Sequence, residues 1–235
     1  MTLYGQLDPQ KIMDTIARLR ARIVERFPDA DLAKVAEELL HIAQQNAMRL
    51  ERIQRPIVTL RVAAALAILV MPAALLLVRW SQIDLQVHAI SDFVQMVDAG
   101  ISTLAFALAI VVFVVTLEIR VKRQRALRAL HELRALAHIV DMHQLTKDPE
   151  SFAVDLPRTL SSPERRLGHI ALGRYLDYCS EMLSLTSKIA ALYAQRLTDP
   201  VVLSAVDQIE DLANRMSSKI WQKITILEGI IARQG

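Results

Sequence analysis

The sequence predicts an all-α membrane protein: a two-span transmembrane helical hairpin with a cytoplasmic helical bundle that includes a long C-terminal αα-hairpin. Three observations carry this reading. The chain is 53% hydrophobic and also 23% charged, so its apolar residues must be gathered into segments. Two such segments stand between charged borders. Finally, 6 Gly, 8 Pro and 5% aromatic residues leave little material for hairpin turns or packed strands, whereas the abundant Ala, Leu, Ile, Arg and Glu suit helices.

From Val62 to Val78 no charge appears, and the stretch from Ile101 to Leu117 is equally apolar. With its flanks, each approaches the roughly 20 residues that cross a hydrocarbon core about 30 Å thick. The spans are placed at residues 56–79 and 99–119, joined by a short extracytoplasmic connection, 80–98. Orientation follows from basic residues in the flanks. Arg49, Arg52, Arg55 and Arg61 precede or open the first span, and Arg120, Lys122, Arg123, Arg125 and Arg128 follow the second. The connection has no Lys or Arg and carries Asp84, Asp92 and Asp98. Both termini are therefore expected in the cytoplasm, with the chain in a plasma membrane of the bacterial inner-membrane kind. Trp80 suits the outer interface. Ile90, Phe93, Val94 and Val97 share a helical face, which fits either a short surface helix or an ordered linker.

Inside the hairpin, Arg61 and Glu118 fall at matching depth if the two spans turn symmetrically. An ion pair there would lower the cost of each charge, and separate snorkelling is the alternative. Pro72 removes a backbone hydrogen bond and predicts a bend near Ile68. Ala63 with Ala67, and Ala105 with Ala109, have the spacing that lets helices approach closely in lipid. Neither span holds a charge in its core, which argues against coupled transport.

The remaining segments read as helices. Residues 1–55 form an N-terminal helix pair. Asp8-Pro9 caps the first helix, whose stripe is Ile12, Ile16, Leu19 and Ile23, and Phe27-Pro28-Asp29 ends it. The second has Leu32, Val35, Leu39, Ile42 and Ala43 inward. Such a polar, periodic start is not that of a cleavable signal peptide. Residues 120–145 continue the second span as a basic helix with Ala129, Leu133, Leu136 and Val140 on one face. Residues 146–162 read as a linker, and 163–235 as an antiparallel helical hairpin. Its first helix is expected to open on Ser161 and Glu164 at capping-box spacing. Asp199 caps its second, whose stripe runs Val202, Val206, Ile209, Ala213, Met216, Ile220, Ile224, Leu227 and Ile231. The first of these helices is apolar over a wider arc than one neighbour needs. The N-terminal pair, the post-membrane helix or another subunit could cover the surplus.

Candidate chemistry concentrates in one run. His138, Asp141, His143, Thr146, Lys147 and Asp148 make a ligand or subunit contact, or a solvated helix end. His131, His138 and Asp141 could contribute to a metal site only with further ligands, so no metal or cofactor is expected. Arg120, Lys122, Arg123 and Arg125 are expected against anionic lipid. Arg174, Tyr175, Asp177, Tyr178 and Glu181 gather acids and phenols around Cys179 but form no activated nucleophile. Cys179 is the one cysteine and reads as a small buried hydrophobe. Glu210 and Asp211 with Arg215, Lys219 and Lys223 read as surface ion pairs. No phosphate loop, paired catalytic carboxylates or aromatic base platform occurs, so neither an enzyme nor a nucleic-acid binder is expected.

The functional expectation is thus a non-enzymatic, homo-oligomeric membrane protein whose cytoplasmic helices assemble or sense a ligand or protein partner. The rival expectation is an oligomeric pore or membrane effector gated by those helices, with Ser102, Thr103 and Thr116 available to line a path. A metal-dependent membrane enzyme is the third.

Overall fold

The computed structural model describes residues 6–80, 89–152 and 167–234. Among them every regular element is helical: α1 (Pro9–Arg26), α2 (Asp31–Gln54), α3 (Val58–Trp80), α4 (Ala89–Leu145), a 3-10 turn (Pro149–Phe152), α5 (His169–Arg196) and α6 (Pro200–Gln234). The chain divides into two units. One combines the residues up to Gln54 with those from Arg125 onward, and the other runs from Arg55 to Gln124.

In the first unit, local rules set the helix ends. The Asp8 carboxylate accepts the Gln10 backbone N–H at 2.8 Å, with Pro9 at the first helical position, where its missing N–H costs nothing. Phe27 closes α1, its N–H still reaching the Ile23 carbonyl at 2.7 Å. Pro28 cannot supply the next bond, and the chain turns into α2. Asp199 caps α6 by accepting from Val201 N at 3.0 Å and Val202 N at 3.3 Å.

One apolar core joins these helices. It takes Ile12, Ile16, Leu19 and Ile23 from α1, Leu32, Leu39 and Ile53 from α2, and the stretch of α4 from Ala126 to Val140. α5 packs against α6, α1 and α2 together. The wide apolar arc of α5 is thus covered within the chain, which removes that surface as a reason to invoke another subunit. Leu176, Cys179, Met182, Leu183 and Tyr193 of α5 are fully buried. On α6 the stripe ends at Ile230, which is 8% exposed, while Ile231 is 42% exposed. A period of 3.6 allows a step of three or four after Leu227, and packing selects three here.

A hydrogen-bonded polar pair is sealed into this core. Asn46 donates to the Ile42 carbonyl at 2.7 Å and accepts the Tyr193 hydroxyl, and both residues are fully buried. The pair ties α2 to α5 with each strong donor satisfied.

The second unit holds α3 and the front of α4. Among the described residues two helices are long and apolar enough to cross a membrane. Their side chains face outward: Leu69 is 68% exposed, Leu104 72% and Phe113 65%. Pro72 lies inside α3 without ending it.

Three expectations need correction or fall outside the described residues. α4 begins at Ala89, so residues 89–98 are the first turns of one 57-residue helix that runs on unbroken through the second apolar stretch. Nothing between Ala89 and Leu145 breaks it, since Gly100 alone costs only about 1 kcal/mol against Ala. α5 starts at His169, with Gly168 extended at its N-cap (φ −73°, ψ 171°) and no side-chain cap bond, so it does not open at Ser161. Those capping-box residues lie outside the described set. So do Asp84 in the connection and the side chains of Trp80, Ile90 and Phe93.

Candidate functional site

The first unit contains a cleft of about 680 Å³. The turn between α1 and α2 gives one wall, Arg26 through Asp31. The end of α4 and the turn after it give another: Ile139, Met142 and His143, then Thr146 and Lys147. Leu167 and Tyr175 complete it. Each wall follows from local sequence. Residues 139, 142 and 143 lie three and four apart and so share a face of α4, beside the buried stripe of Leu133, Leu136 and Val140, and the turn that follows, in which Lys147 N–H reaches the Gln144 carbonyl at 3.1 Å, adds Thr146 and Lys147. The break at Phe27-Pro28 positions the opposite wall. Phe27 is held by edge-on contacts with Tyr175 and Tyr178, at ring separations of 5.7 and 6.2 Å.

The cleft mixes charge with apolar surface. The Lys147 ammonium lies 5.1 Å from the centre of the Tyr175 ring, a cation–π distance. Burial pushes the Tyr175 hydroxyl above its ordinary pKa, with Cys179 and Asp31 adding to the effect. It therefore remains a neutral donor. His143 and Arg26 add cationic or protonatable groups, and Asp29 and Asp31 add carboxylates. The cleft thus offers apolar and charged contacts side by side. It brings together no nucleophile and base.

The expected cluster of six residues is divided by helix geometry. His143, Thr146 and Lys147 line the cleft. His138 is exposed and does not line it. Asp141 accepts from the Gln144 amide at 2.6 Å, and Asp148 caps the 3-10 turn through the Glu150 N–H at 3.0 Å. Residues 138 and 143 are five apart, near 140° around a helix, so sequence proximity set them on different faces. His131 is exposed as well. Among the described residues no three His, Cys, Asp or Glu side chains approach closely enough to hold a metal ion.

The other runs also resolve. Arg174 pairs with Asp177 at 3.4 Å, and Glu181 pairs with Arg22 of α1 at 2.5 Å. Burial pushes the Cys179 thiol up to about 12. Among the described residues, Glu210 and Asp211 form no ion pair with Arg215, Lys219 or Lys223. Lys223 instead donates to the Gln144 backbone carbonyl at 2.8 Å, and burial lowers its pKa against the pull of Asp148 and Asp141.

In the second unit, Arg61 Nε lies 3.2 Å from Glu118 Oε2, and Lys122 Nζ lies 2.8 Å from Glu118 Oε1. Lys122 thus serves an intramolecular pair rather than standing free for lipid. Arg120 is exposed and Arg123 half-buried.

Arg125 belongs to a second cleft of the first unit, of about 540 Å³. Arg49, Arg52, Ile53, Arg128 and Glu132 also line it. The sequence showed these arginines only as flanks of the two apolar stretches. Their convergence needs α2 and α4 to pack together, and the one available signal was the spacing of three within each pair.

No family model matches the chain, and neither a curated protein nor a solved structure matches it.

Proposed function

We propose that the protein is a non-enzymatic, self-associating membrane protein whose helical bundle senses a ligand or partner segment in the cleft at the α1–α2 turn. The observation that carries this is the convergence of His143, Thr146 and Lys147 with the Arg26–Asp31 turn and Tyr175 around one ligand-sized cavity. In this reading α3 and the front of α4 lie in a bacterial inner membrane, with both termini in the cytoplasm. The outward apolar side chains support it, because soluble surfaces rarely leave so much contiguous apolar area open. The absence of Lys and Arg between Trp80 and Asp98 supports the orientation.

Self-association is assigned to the apolar helices, since the bundle covers its own surplus. Ala63 and Ala67 on α3, and Ala105 and Ala109 on α4, are all exposed, which leaves both small-residue pairs open to a neighbour. Anchoring is favoured over conduction by the hydroxyls of the second span. Thr103 donates back to the Ala99 carbonyl at 2.8 Å and Thr116 to the Val112 carbonyl at 2.7 Å. Bonded in this way, they sit in lipid at little cost.

Three measurements test the reading. The mass of the detergent-solubilised complex should exceed that of one chain. Ion flux in liposomes should be absent, and steady flux would favour the pore instead. The Lys147→Ala variant should abolish stabilisation by any cytosolic extract fraction that raises the melting temperature of the wild type. A monomer whose melting no fraction shifts would sink the proposal.

A further inference from the structure

The second cleft gathers four guanidinium groups and one carboxylate. Arg49 and Arg52 stand one turn apart on α2, and Arg125 and Arg128 one turn apart on α4. The floor is apolar, with Ile53 2% exposed. Glu132 is committed: its carboxylate accepts Arg49 at 2.5 Å, and Arg49 also donates to Gln45 Oε1 at 2.9 Å. That ties α2 to α4 and fixes one wall. Among the described residues Arg52, Arg125 and Arg128 have no ion-pair or hydrogen-bond partner.

Three unpaired arginines in one concavity repel each other and raise the local potential. A helix C-terminus or a topology signal accounts for one or two of them. It does not account for two helices aiming a pair each into the same space. Guanidinium forks match phosphate oxygens in bidentate geometry. A phosphate monoester carries about −1.5 to −2 charges at neutral pH, which suits three free guanidiniums better than a singly charged diester. We propose that Arg52, Arg125 and Arg128, with Arg49 braced by Glu132, form a binding site for a phosphate monoester. The group is either the headgroup of a lipid such as phosphatidic acid or a phosphate on a soluble molecule. The site shares no residue with the ligand cleft described above, so it does not rest on it.

The test uses the full chain in nanodiscs of pure phosphatidylcholine, with inorganic phosphate titrated against sodium chloride of equal ionic strength. A second arm compares nanodiscs containing phosphatidic acid with nanodiscs containing the diester phosphatidylglycerol, matched for total charge. Melting temperature and phosphorus NMR line width report binding. Phosphate or phosphatidic acid should stabilise the wild type, and phosphatidylglycerol should do so less. Each of Arg52→Gln, Arg125→Gln and Arg128→Gln should weaken the effect about tenfold, the scale of one charge-assisted hydrogen bond. Arg215→Gln, exposed on α6 and outside the cleft, should leave it unchanged. In chloride alone the three cleft variants should melt no lower than wild type, since each relieves repulsion.

Stabilisation in the phosphate arm assigns a soluble ligand, and stabilisation only by phosphatidic acid assigns the lipid. No stabilisation in either arm, or an equal response to both lipids that survives the cleft variants, overturns the site. Should a variant not fold, phosphorus NMR on the wild type decides alone.

Discussion

Replacing Tyr193 by Phe leaves the aromatic ring in place and removes one hydroxyl. That hydroxyl is the donor to Asn46, and neither residue has solvent access. The Asn46 carbonyl then stays buried without a donor while its amide still holds Ile42. Stranding one buried acceptor costs about 1–3 kcal/mol, so Tyr193→Phe should lose about 2 kcal/mol. At roughly 2–4 °C per kcal/mol for a unit of this size, the melting temperature should fall by about 4–8 °C. The assay is far-UV circular dichroism of the detergent-solubilised chain at pH 7. Asn46→Leu strands the tyrosine hydroxyl instead and should cost a similar amount. Asn46→Leu with Tyr193→Phe removes both polar partners and should recover most of the loss, giving a coupling of at least about 1 kcal/mol in the double-mutant cycle. A Tyr193→Phe variant within about 0.5 kcal/mol of wild type would refute the reasoning, as would a double variant no better than the sum of the singles.

Further outcomes follow from other contacts. Asp199→Ala removes the α6 cap and should cost about 1 kcal/mol in urea denaturation, whereas Asp199→Asn should keep most of it. Cys179 holds its proton up to about 12 in the folded chain against an ordinary 9.0. The unfolded chain therefore releases that proton first: the contribution is fully present below pH 9.0 and is lost as pH rises from there to about 12. Melting temperatures across pH 8–11 should fall more steeply for wild type than for Cys179→Ala, and the native thiol should resist an aromatic disulfide reagent until the chain unfolds. Arg61→Ala and Glu118→Ala should show a favourable coupling of roughly 0.5–1 kcal/mol in a double-mutant cycle. Additive losses would show that the pair contributes nothing.

Much of the helical layout was legible because burial repeats along a helix with a period the eye can follow. Ile12, Ile16, Leu19 and Ile23 read directly as an inward face, and so did Val202 through Leu227. The Arg61–Glu118 register was legible for a different reason, since an antiparallel pair of helices maps equal distances from the turn onto each other. What could not be read was which surfaces meet. The surplus on α5 was plain in the sequence, but whether α1 and α2 or a second copy covered it depended on contacts far apart in the chain. The same limit hid the meeting of Arg49 and Arg52 with Arg125 and Arg128. It also made the run from His138 to Asp148 look like one cluster, when α4 sends His138 and His143 to different sides and ends at Leu145, before Thr146, Lys147 and Asp148.

The bundle is discontinuous in sequence, and this has a consequence for how it is made. Asn46 and Tyr193 are separated by 147 positions. At about 5–20 residues per second, the ribosome delivers α5 roughly 7–30 s after α2. For that interval α1 and α2 exist as an amphipathic hairpin with Leu19, Leu32 and Leu39 unsheltered, while the apolar stretches of α3 and α4 are being synthesised behind them. Closure of the core must therefore wait until the last third of the chain has emerged.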